Sequence, residues 1–292
     1  MANGLRAAPD FTLICTVFNE GKTIIDFLNS FRNQSLFPKN LIIVDGGSTD
    51  NTVELIQNFS VGFEYPIKLI IDRTCSKEFS KAPIAKGRNI AIANVITDFV
   101  ISTDAGCVLD KNFINEIAKP FEDPSVDVVG GGYRHQQINK FADIYYQVAM
   151  TKTDKVDASL FLPSSRSVAF KKACWELVGG YPEISYTGED SLFMINLKSA
   201  NFNFYLNREA MVFWRTPLTF KEARKKQRQY GLGDGESLIF APTLIRLLIV
   251  VIPIVLLGSP NHRKYFWYSY CFAVCHLSGF IEGVLNRAFR QL

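Results

Sequence analysis

The chain has 292 residues, with 32 Lys and Arg against 28 Asp and Glu, which gives a formal charge of +4. Apolar residues make up 48% and charged residues 21%, a composition that excludes a disordered or collagen-like chain. A charge this close to zero also argues against a dedicated nucleic-acid binder, so no nucleic-acid partner is expected. The length suits one large α/β domain, or one domain with an appendage.

Six cysteines are spread along the chain without a CxxC pair, so the sequence predicts no zinc ribbon or zinc finger. Near the N-terminus, Pro9 and Asp10 interrupt the chain before any long apolar run, which does not fit a cleaved signal peptide. Scattered thiols without an export signal favour a reducing, cytosolic setting for the main domain.

Short apolar runs alternate with segments of helical spacing through the first hundred residues. Strands are predicted over 11–18, 41–44, 67–71 and 98–103, and helices over 22–32, 53–59 and 88–97. Further strands are predicted over 126–131, 167–170 and 211–214, with helices over 140–156 and 190–200. Strands that alternate with helices indicate βαβ units and a mostly parallel sheet.

An acidic residue follows each of the four early strands. In chain order these are Glu20, Asp45, Asp72 and Asp104. Because ligands bind beyond the carboxyl ends of parallel strands, we expect the four acids along one rim. Their partner there would be a metal ion, ribose hydroxyls, base N–H groups or Arg side chains. For any single acid, an ordinary position at a strand–loop junction is the simpler explanation.

Two segments look like phosphate-binding loops but lack the required residues. GKT at 21–23 follows a strand and opens a helix, yet Thr16 stands where a P-loop needs its first glycine. Glu20 would also point negative charge at the phosphates. GLGDG at 231–235 does not match GxGxxG, and no suitable strand precedes it. Neither segment therefore predicts a phosphate loop.

Seven segments, in this order along the chain, form a recognisable set. They are TVFNEGKTIIDFLNSFRNQS (16–35), LIIVDGGSTDNT (41–52), AKGRNIAIA (85–93), STDAGCVLD (102–110), SSRSVAFKKACWELVGGYPE (164–183), TGED (187–190) and VFWRTPLTF…QRQYGLGDG (212–235). The set resembles glycosyltransferase family 2, the inverting nucleotide-sugar transferases with the GT-A fold. The resemblance implies an α/β fold with a Rossmann-like, mostly parallel sheet flanked by helices.

The resemblance also implies how the donor is bound. Thr16, Phe18 and Glu20 would lie beside the nucleoside, and Asp45 would accept a ring N–H of the base, with uracil expected. Arg88 would lie near the nucleotide, although an exposed charge on a helix explains an arginine there equally well.

The acidic metal motif of the family, DxD, is incomplete in this chain. Asp104 matches its first acid, but Gly106 stands in the place of the second. One carboxylate together with diphosphate oxygens can still hold a cation, so the resemblance implies Mg²⁺ or Mn²⁺ at Asp104.

The acids after Gly188 match the catalytic segment of the family. The resemblance gives Asp190 the role of general base and lets Glu189 orient Asp190 or the acceptor. A structural explanation is also available, because acids in the first turn of a helix offset its dipole. Ser164 and Arg166 would lie near the acceptor or the diphosphate.

Three residues depart from patterns common among relatives. Trp214 and Arg215 stand where many members carry a His, and Arg215 would offset charge on the departing diphosphate. Tyr230 takes the Trp place of the QxxRW pattern found in processive members. The resemblance therefore favours addition of one sugar over polymerisation.

The C-terminal quarter is rich in apolar residues and follows a basic helix predicted from Thr219. A basic helix that leads into apolar sequence suggests contact with anionic headgroups, and a solvated basic face is the alternative. The runs 247–262 and 265–281 contain no Lys, Arg, Asp or Glu. Each is shorter than the roughly 20 residues of a perpendicular span. A transmembrane hairpin, a re-entrant or in-plane pair, and burial against the main domain stay open. We expect a catalytic domain over 1–236 and a membrane-associating helical pair over 237–292.

These observations predict an inverting glycosyltransferase at the cytoplasmic face of the cell membrane. It would move a sugar from a nucleotide-sugar donor, expected to be UDP-linked, to a hydroxyl of a lipid-linked or membrane-proximal glycan. One alternative is a sugar nucleotidyltransferase, which usually needs a Gly-rich, basic phosphate loop after the first strand. The other is a non-catalytic nucleotide-binding anchor protein, for which the incomplete DxD motif leaves room.

Overall fold

The structure is a computed structural model that describes residues 10–63, 65–239 and 241–289. Strands and helices alternate regularly up to the fourth strand. In chain order they are β1 (Phe11–Val17), α1 (Ile24–Arg32), β2 (Asn40–Asp45), α2 (Thr52–Val61), β3 (Ile67–Ile71), the 3₁₀ helix Arg73–Cys75, α3 (Pro83–Ala93) and β4 (Phe99–Asp104). The predicted βαβ alternation is confirmed, and α3 begins earlier than predicted because Pro83 suits the first position of a helix.

The middle of the chain is less regular. It contains β5 (Cys107–Leu109), α4 (Phe113–Ala118), the 3₁₀ helix Lys119–Glu122, β6 (Val128–His135), α5 (Lys140–Ala149), β7 (Val168–Lys171), α6 (Lys172–Leu177), α7 (Glu189–Ser199) and β8 (Phe204–Trp214). The sequence did not predict β5, which has only three residues. The predicted helix over 140–156 ends at Ala149, where Met150 adopts an extended backbone.

One eight-stranded sheet runs through the molecule in the order β3-β2-β1-β4-β7-β6-β8-β5. The first four strands are parallel, as predicted, whereas β7 is antiparallel to both of its neighbours and β5 is antiparallel to β8. Only residues 105–106 separate β4 from β5, yet β5 lies at the far end of the strand order. The sheet therefore curls back on itself, which brings the end of β8 beside the end of β4.

The sheet is buried on both faces, because alternate residues of a strand point to opposite sides. Leu13 of β1 packs in a cluster with Phe27 and Phe31 of α1. Ile14, the next residue, packs in a second cluster with Ala91 of α3. This burial fixes the register of the parallel strands, since a shift by one residue would reverse both faces.

The C-terminal part contains α8 (Phe220–Ser237), α9 (Ala241–Val251), the 3₁₀ helix Pro253–Gly258, α10 (Pro260–Lys264) and α11 (Phe266–Phe289). Helix α11 folds back along α8, and glycines let the two backbones approach closely. A Cβ atom added at Gly279 would lie 2.0 Å from the carbonyl oxygen of Arg228. Phe272 of α11 also belongs to the main core. Residues of α11, beyond the predicted boundary at 236, therefore pack into the same core as the sheet.

The two apolar runs take different conformations. The run 247–262 is divided among α9, a 3₁₀ helix and α10, while the run 265–281 lies almost entirely within α11. Within the described parts of the chain, none of the helices is both long and apolar enough to cross a bilayer.

Candidate active site

A cleft of about 700 Å³ opens beyond the carboxyl ends of β1, β2 and β4. This is the place where open α/β sheets bind their ligands. Its walls come from the ends of these strands, from α3, from the start of α7, from the segment after β8 and from one face of α8. The curl of the sheet closes the cleft, because it sets the end of β8 opposite the end of β4.

Most of the residues predicted for the site meet in this cleft. They are Thr16, Phe18, Glu20, Arg88, Asp104, Arg166, Glu189, Asp190, Trp214, Arg215 and Tyr230. Of the predicted rim of four acids, Glu20 and Asp104 line the cleft. Burial raises the pKa of Glu20, a hydrogen bond from Thr23 opposes this shift, and the charge of Asp104 adds to it.

Asp45 does not reach the cleft surface. It is fully buried, and its Oδ1 accepts the backbone N–H groups of Gly47 and Ser48, each at 2.8 Å. Its Oδ2 accepts a hydrogen bond from the Ser48 hydroxyl. The carboxylate therefore holds the turn in which Gly47 has φ +86°, a conformation that suits glycine. Its neighbours Val44 and Gly46 line the cleft, and the direct contact between Asp45 and the base stays a prediction.

Asp72 also accepts hydrogen bonds within its own turn. Its Oδ1 accepts the backbone N–H of Thr74 at 2.9 Å and the Thr74 hydroxyl at 2.7 Å. These hydrogen bonds lower the pKa of Asp72. The ordinary strand–loop explanation therefore accounts for the contacts of Asp72.

Arg88 joins the two sides of the cleft. Its Nη2 lies 2.7 Å from Oδ1 of Asp104 at the end of β4, and its Nη1 lies 2.6 Å from Oε1 of Glu189 at the start of α7. The arginine is almost fully buried, so the predicted alternative of an exposed helix charge is excluded. Arg88 thus fixes the distance between α7 and the sheet.

The two acids paired with Arg88 have opposite pKa shifts. Burial alone would raise the pKa of Asp104, but Arg88 and Arg166 lower it below the ordinary value. Burial, and secondly the negative charge of Asp190, raise the pKa of Glu189 to about 7, and Arg88 opposes this shift only in part. Glu189 is almost fully buried although it lines the cleft, and its role in orienting Asp190 or the acceptor stays a prediction.

Asp190, in contrast, faces the cleft. Its Oδ2 accepts a hydrogen bond from the Ser164 hydroxyl at 3.1 Å, and Ser164 in turn accepts one from Nε of Arg166 at 3.0 Å. Ser164 is not itself part of the cleft wall, so it acts on the site by orienting Asp190. The preceding Gly188 has φ +87°, which allows the tight entry into α7.

Arg166 is held by aromatic rings as well as by Ser164. Its guanidinium carbon lies 4.1 Å from the ring centre of Trp214 and 5.0 Å from that of Tyr133. Tyr133, on β6, was not predicted as part of this arrangement, and no local pattern in the sequence singles it out. Such stacking fixes a charged side chain in one direction.

The cleft also contains three lysines that were not predicted for the site. Lys225 and Lys226 of α8 line it, as does Lys77 after β3. The prediction for the basic residues of α8 was contact with anionic headgroups or a solvated face. Glu222, Lys225, Lys226 and Gln229 follow the spacing of one helical face, and this spacing was the available signal.

The donor set at Asp104 does not fit a metal ion held by the protein. Oδ1 of Asp104 is already paired with Arg88, and Gly106 offers no side chain. In the parts of the chain described here, no three His, Cys, Asp or Glu side chains are arranged to hold a metal ion. An Mg²⁺ or Mn²⁺ ion of the kind that the resemblance implies would meet a single carboxylate at this position, and Arg88 already pairs with that carboxylate.

A cleft beyond parallel strands that sets a carboxylate against several cations is typical of enzymes that transfer a group from a phosphate-linked donor. The sequence profile of Glycosyl transferase family 2 matches residues 12–171, which is more than half of the chain. The chain therefore belongs to this family and is a glycosyltransferase, as predicted.

Relatives and solved structures agree with this assignment. The chain is 24% identical over 264 residues to the O-antigen chain rhamnosyltransferase RfbN of Salmonella typhimurium, covering 82% of this chain and 81% of that protein. It is similar in structure to the mannosyltransferase PcManGT from Pyrobaculum calidifontis in complex with GDP-Man and Mn²⁺, with a TM-score of 0.61 and 17% identity over 98% of this chain and 79% of that one.

A second solved structure is that of S. aureus TarS 1–349 in complex with UDP-GlcNAc. Its TM-score is 0.58 at 16% identity, covering 97% of this chain and 92% of that one. The chain spans only 39% of another, longer crystal structure of S. aureus TarS. These likenesses confirm the predicted α/β, GT-A-type fold, and the family argues against the nucleotidyltransferase and anchor alternatives.

Proposed function

We propose that this protein is an inverting glycosyltransferase that moves one sugar from a nucleotide-sugar donor to a hydroxyl group of a glycan acceptor. The observation that carries the proposal is the position of Asp190, whose carboxylate lies in the same cleft as Arg215 and Lys226. A base on one side and cations on the other are what a single displacement at the anomeric carbon needs.

In this mechanism Asp190 takes the proton of the acceptor hydroxyl as its oxygen bonds to the anomeric carbon. The bond from that carbon to the diphosphate oxygen breaks, and its electron pair leaves with the nucleoside diphosphate. The hydrogen bond from the Ser164 hydroxyl fixes the orientation of the Asp190 carboxylate. Attack from the face opposite the leaving group inverts the anomeric centre.

The identity of the donor is open to direct test. A UDP-linked donor is our first choice, and the TarS complex with UDP-GlcNAc supports it, whereas PcManGT holds GDP-Man. We expect the full chain to release nucleoside diphosphate from one donor among UDP-, GDP- and dTDP-linked sugars when a glycan-bearing lipid extract is present. If no donor in the panel binds by calorimetry, the proposal is wrong.

We further propose that the protein works at the cytoplasmic face of the cell membrane on a lipid-linked acceptor. The supporting observation is an exposed apolar ridge, defined by Leu244, Leu248, Val251 and Ile254 of α9 and the 3₁₀ helix that follows. Residues 247–262 contain no charge, and the basic pair Arg263 and Lys264 follows directly. An apolar ridge beside basic residues complements an anionic lipid surface.

This attachment predicts a specific loss of lipid binding. Leu248→Ser with Val251→Ser should release the full chain from phosphatidylglycerol-containing vesicles in a flotation assay, because buried apolar area supplies the attachment. Val61→Ser with Ile96→Ser is the matched control, since both side chains are more than 80% exposed and lie elsewhere. Equal flotation of the two variants, or self-association through the ridge without lipid binding, would contradict the proposal.

A further inference from the structure

Arg215 lies directly beside the position at which the acidic motif is incomplete. In the antiparallel ladder of β5 and β8, Cys107 pairs with Trp214, and the backbone N–H of Arg215 donates to the carbonyl oxygen of Gly106 at 3.0 Å. Both Gly106 and Arg215 line the cleft. The curl of the sheet therefore sets a cation where a second metal-binding carboxylate would otherwise stand.

There is room for a ligand at this point. A Cβ atom added at Gly106 would meet no heavy atom within 4 Å. Among the residues that the structure describes, no carboxylate forms an ion pair with Arg215 or with Lys226. Both charges are thus available to an anionic group that enters the open space.

The surrounding charges add to this positive field. Arg88, Arg166 and Lys226 each lower the pKa of Asp104. The Nζ atom of Lys226 lies 5.6 Å from the ring centre of Trp214. Arg166 is fixed by its stacking and its bond to Ser164. Fixed cations stabilise developing negative charge without reorganising during the reaction.

We propose that Arg215, assisted by Lys226, binds the diphosphate of the donor and takes over the work of a divalent cation, so that donor binding and transfer are independent of metal. This inference rests on the proposed function and specifies how its leaving group is stabilised. As the bond to the anomeric carbon breaks, the electron pair passes to the β-phosphate oxygen, and the Arg215 guanidinium donates charge-assisted hydrogen bonds to it. A divalent cation placed there would be repelled by Arg215.

The first test is calorimetry of the full chain with UDP, GDP and dTDP, in EDTA and then with Mn²⁺. We expect the diphosphate that binds most tightly to have the same affinity, within about twofold, in EDTA and with Mn²⁺. Arg215→Gln should weaken binding about 10- to 100-fold, the cost of losing hydrogen bonds to a charged group. Lys221→Gln is the control, because it removes an exposed charge of α8 that does not line the cleft.

A gain of metal dependence provides the second test. The double variant Gly106→Asp with Arg215→Gln restores a second carboxylate in the open space and removes the competing cation. We expect its diphosphate binding to be weak in EDTA and recovered by Mn²⁺, which a merely structural role of Arg215 would not produce.

The outcomes separate the two proposals. If the unmodified chain binds a nucleoside diphosphate only with Mn²⁺, the role of Arg215 is wrong and the glycosyltransferase proposal stands. If none of the three diphosphates binds under either condition, the proposed function itself fails.

Discussion

Asp190→Asn should abolish sugar transfer while leaving donor binding intact. Asn keeps the size of the side chain and can still accept the hydrogen bond from Ser164, but it cannot take a proton from the acceptor hydroxyl. Loss of a general base typically slows a reaction by about 10²–10⁴-fold. The measurement compares turnover by nucleotide release with donor affinity by calorimetry.

Asp26→Asn is the matched control for this experiment. Asp26 occupies the first turn of α1, as Asp190 occupies the first turn of α7, and it is exposed and outside the cleft. It therefore reports what the loss of a favourable charge at a helix start does by itself, a few tenths of a kcal/mol up to about 1 kcal/mol. Near-normal turnover of Asp190→Asn would remove Asp190 from the catalytic role.

Arg88→Met should destabilise the fold by about 3–5 kcal/mol, the typical cost of breaking a buried ion pair by removing one partner. The substitution leaves Glu189 buried and unpaired, and Asp104 loses the same guanidinium. Chemical denaturation of the two proteins measures the difference. Arg32→Met is the control, because Arg32 is exposed and stacks on Phe59, a contact worth about 0.5–1 kcal/mol.

The destabilisation should also depend on pH in a defined direction. In the folded protein the pKa of Glu189 is about 7, above its ordinary value of 4.5, so the folded state holds this proton more tightly than the unfolded state. Glu189 therefore stabilises the fold below pH 4.5, and this stabilisation is lost as the pH rises towards 7. Removing Arg88 raises the pKa of Glu189 further, because Arg88 favours the ionised form.

The deficit of Arg88→Met should thus be larger at pH 8 than at pH 5. Adding Glu189→Gln should recover part of the stability at pH 8, since it removes one buried charge. A deficit that is equal at both pH values would show that the pairing of Arg88 with Glu189 does not contribute as described.

Local patterns predicted much of the fold and most of the residues in the cleft. The first four strands and their helices follow from apolar periodicity, which is a property of neighbouring residues. Glu20 and Asp104 were correctly expected beyond the carboxyl ends of their strands, since parallel strands share that edge. The same reasoning could not show that Asp45 and Asp72 also hold their own turns, because an acid that caps its own turn and an acid that faces a ligand have the same local sequence.

The roles of the basic residues could be assigned only from the tertiary structure. Lys225 and Lys226 belong to a helix whose composition suggested a lipid surface, and only the packing of α11 on α8 decided which face meets the cleft. For Arg88 the sequence left two positions open, near the nucleotide or exposed on a helix, and the ion pair with Glu189 of α7 excludes the exposed position.

By itself, the sequence determined the βαβ half of the fold, the family and the acids at the strand ends, because these depend on short-range periodicity and on ordered motifs. The tertiary structure alone decided that Asp190 is oriented by Ser164 and that Arg215 stands beside Gly106. Both contacts join residues far apart in the chain. The contact of Arg215 with Gly106 exists because the sheet curls until β8 meets β5, and no periodicity within either strand encodes that pairing.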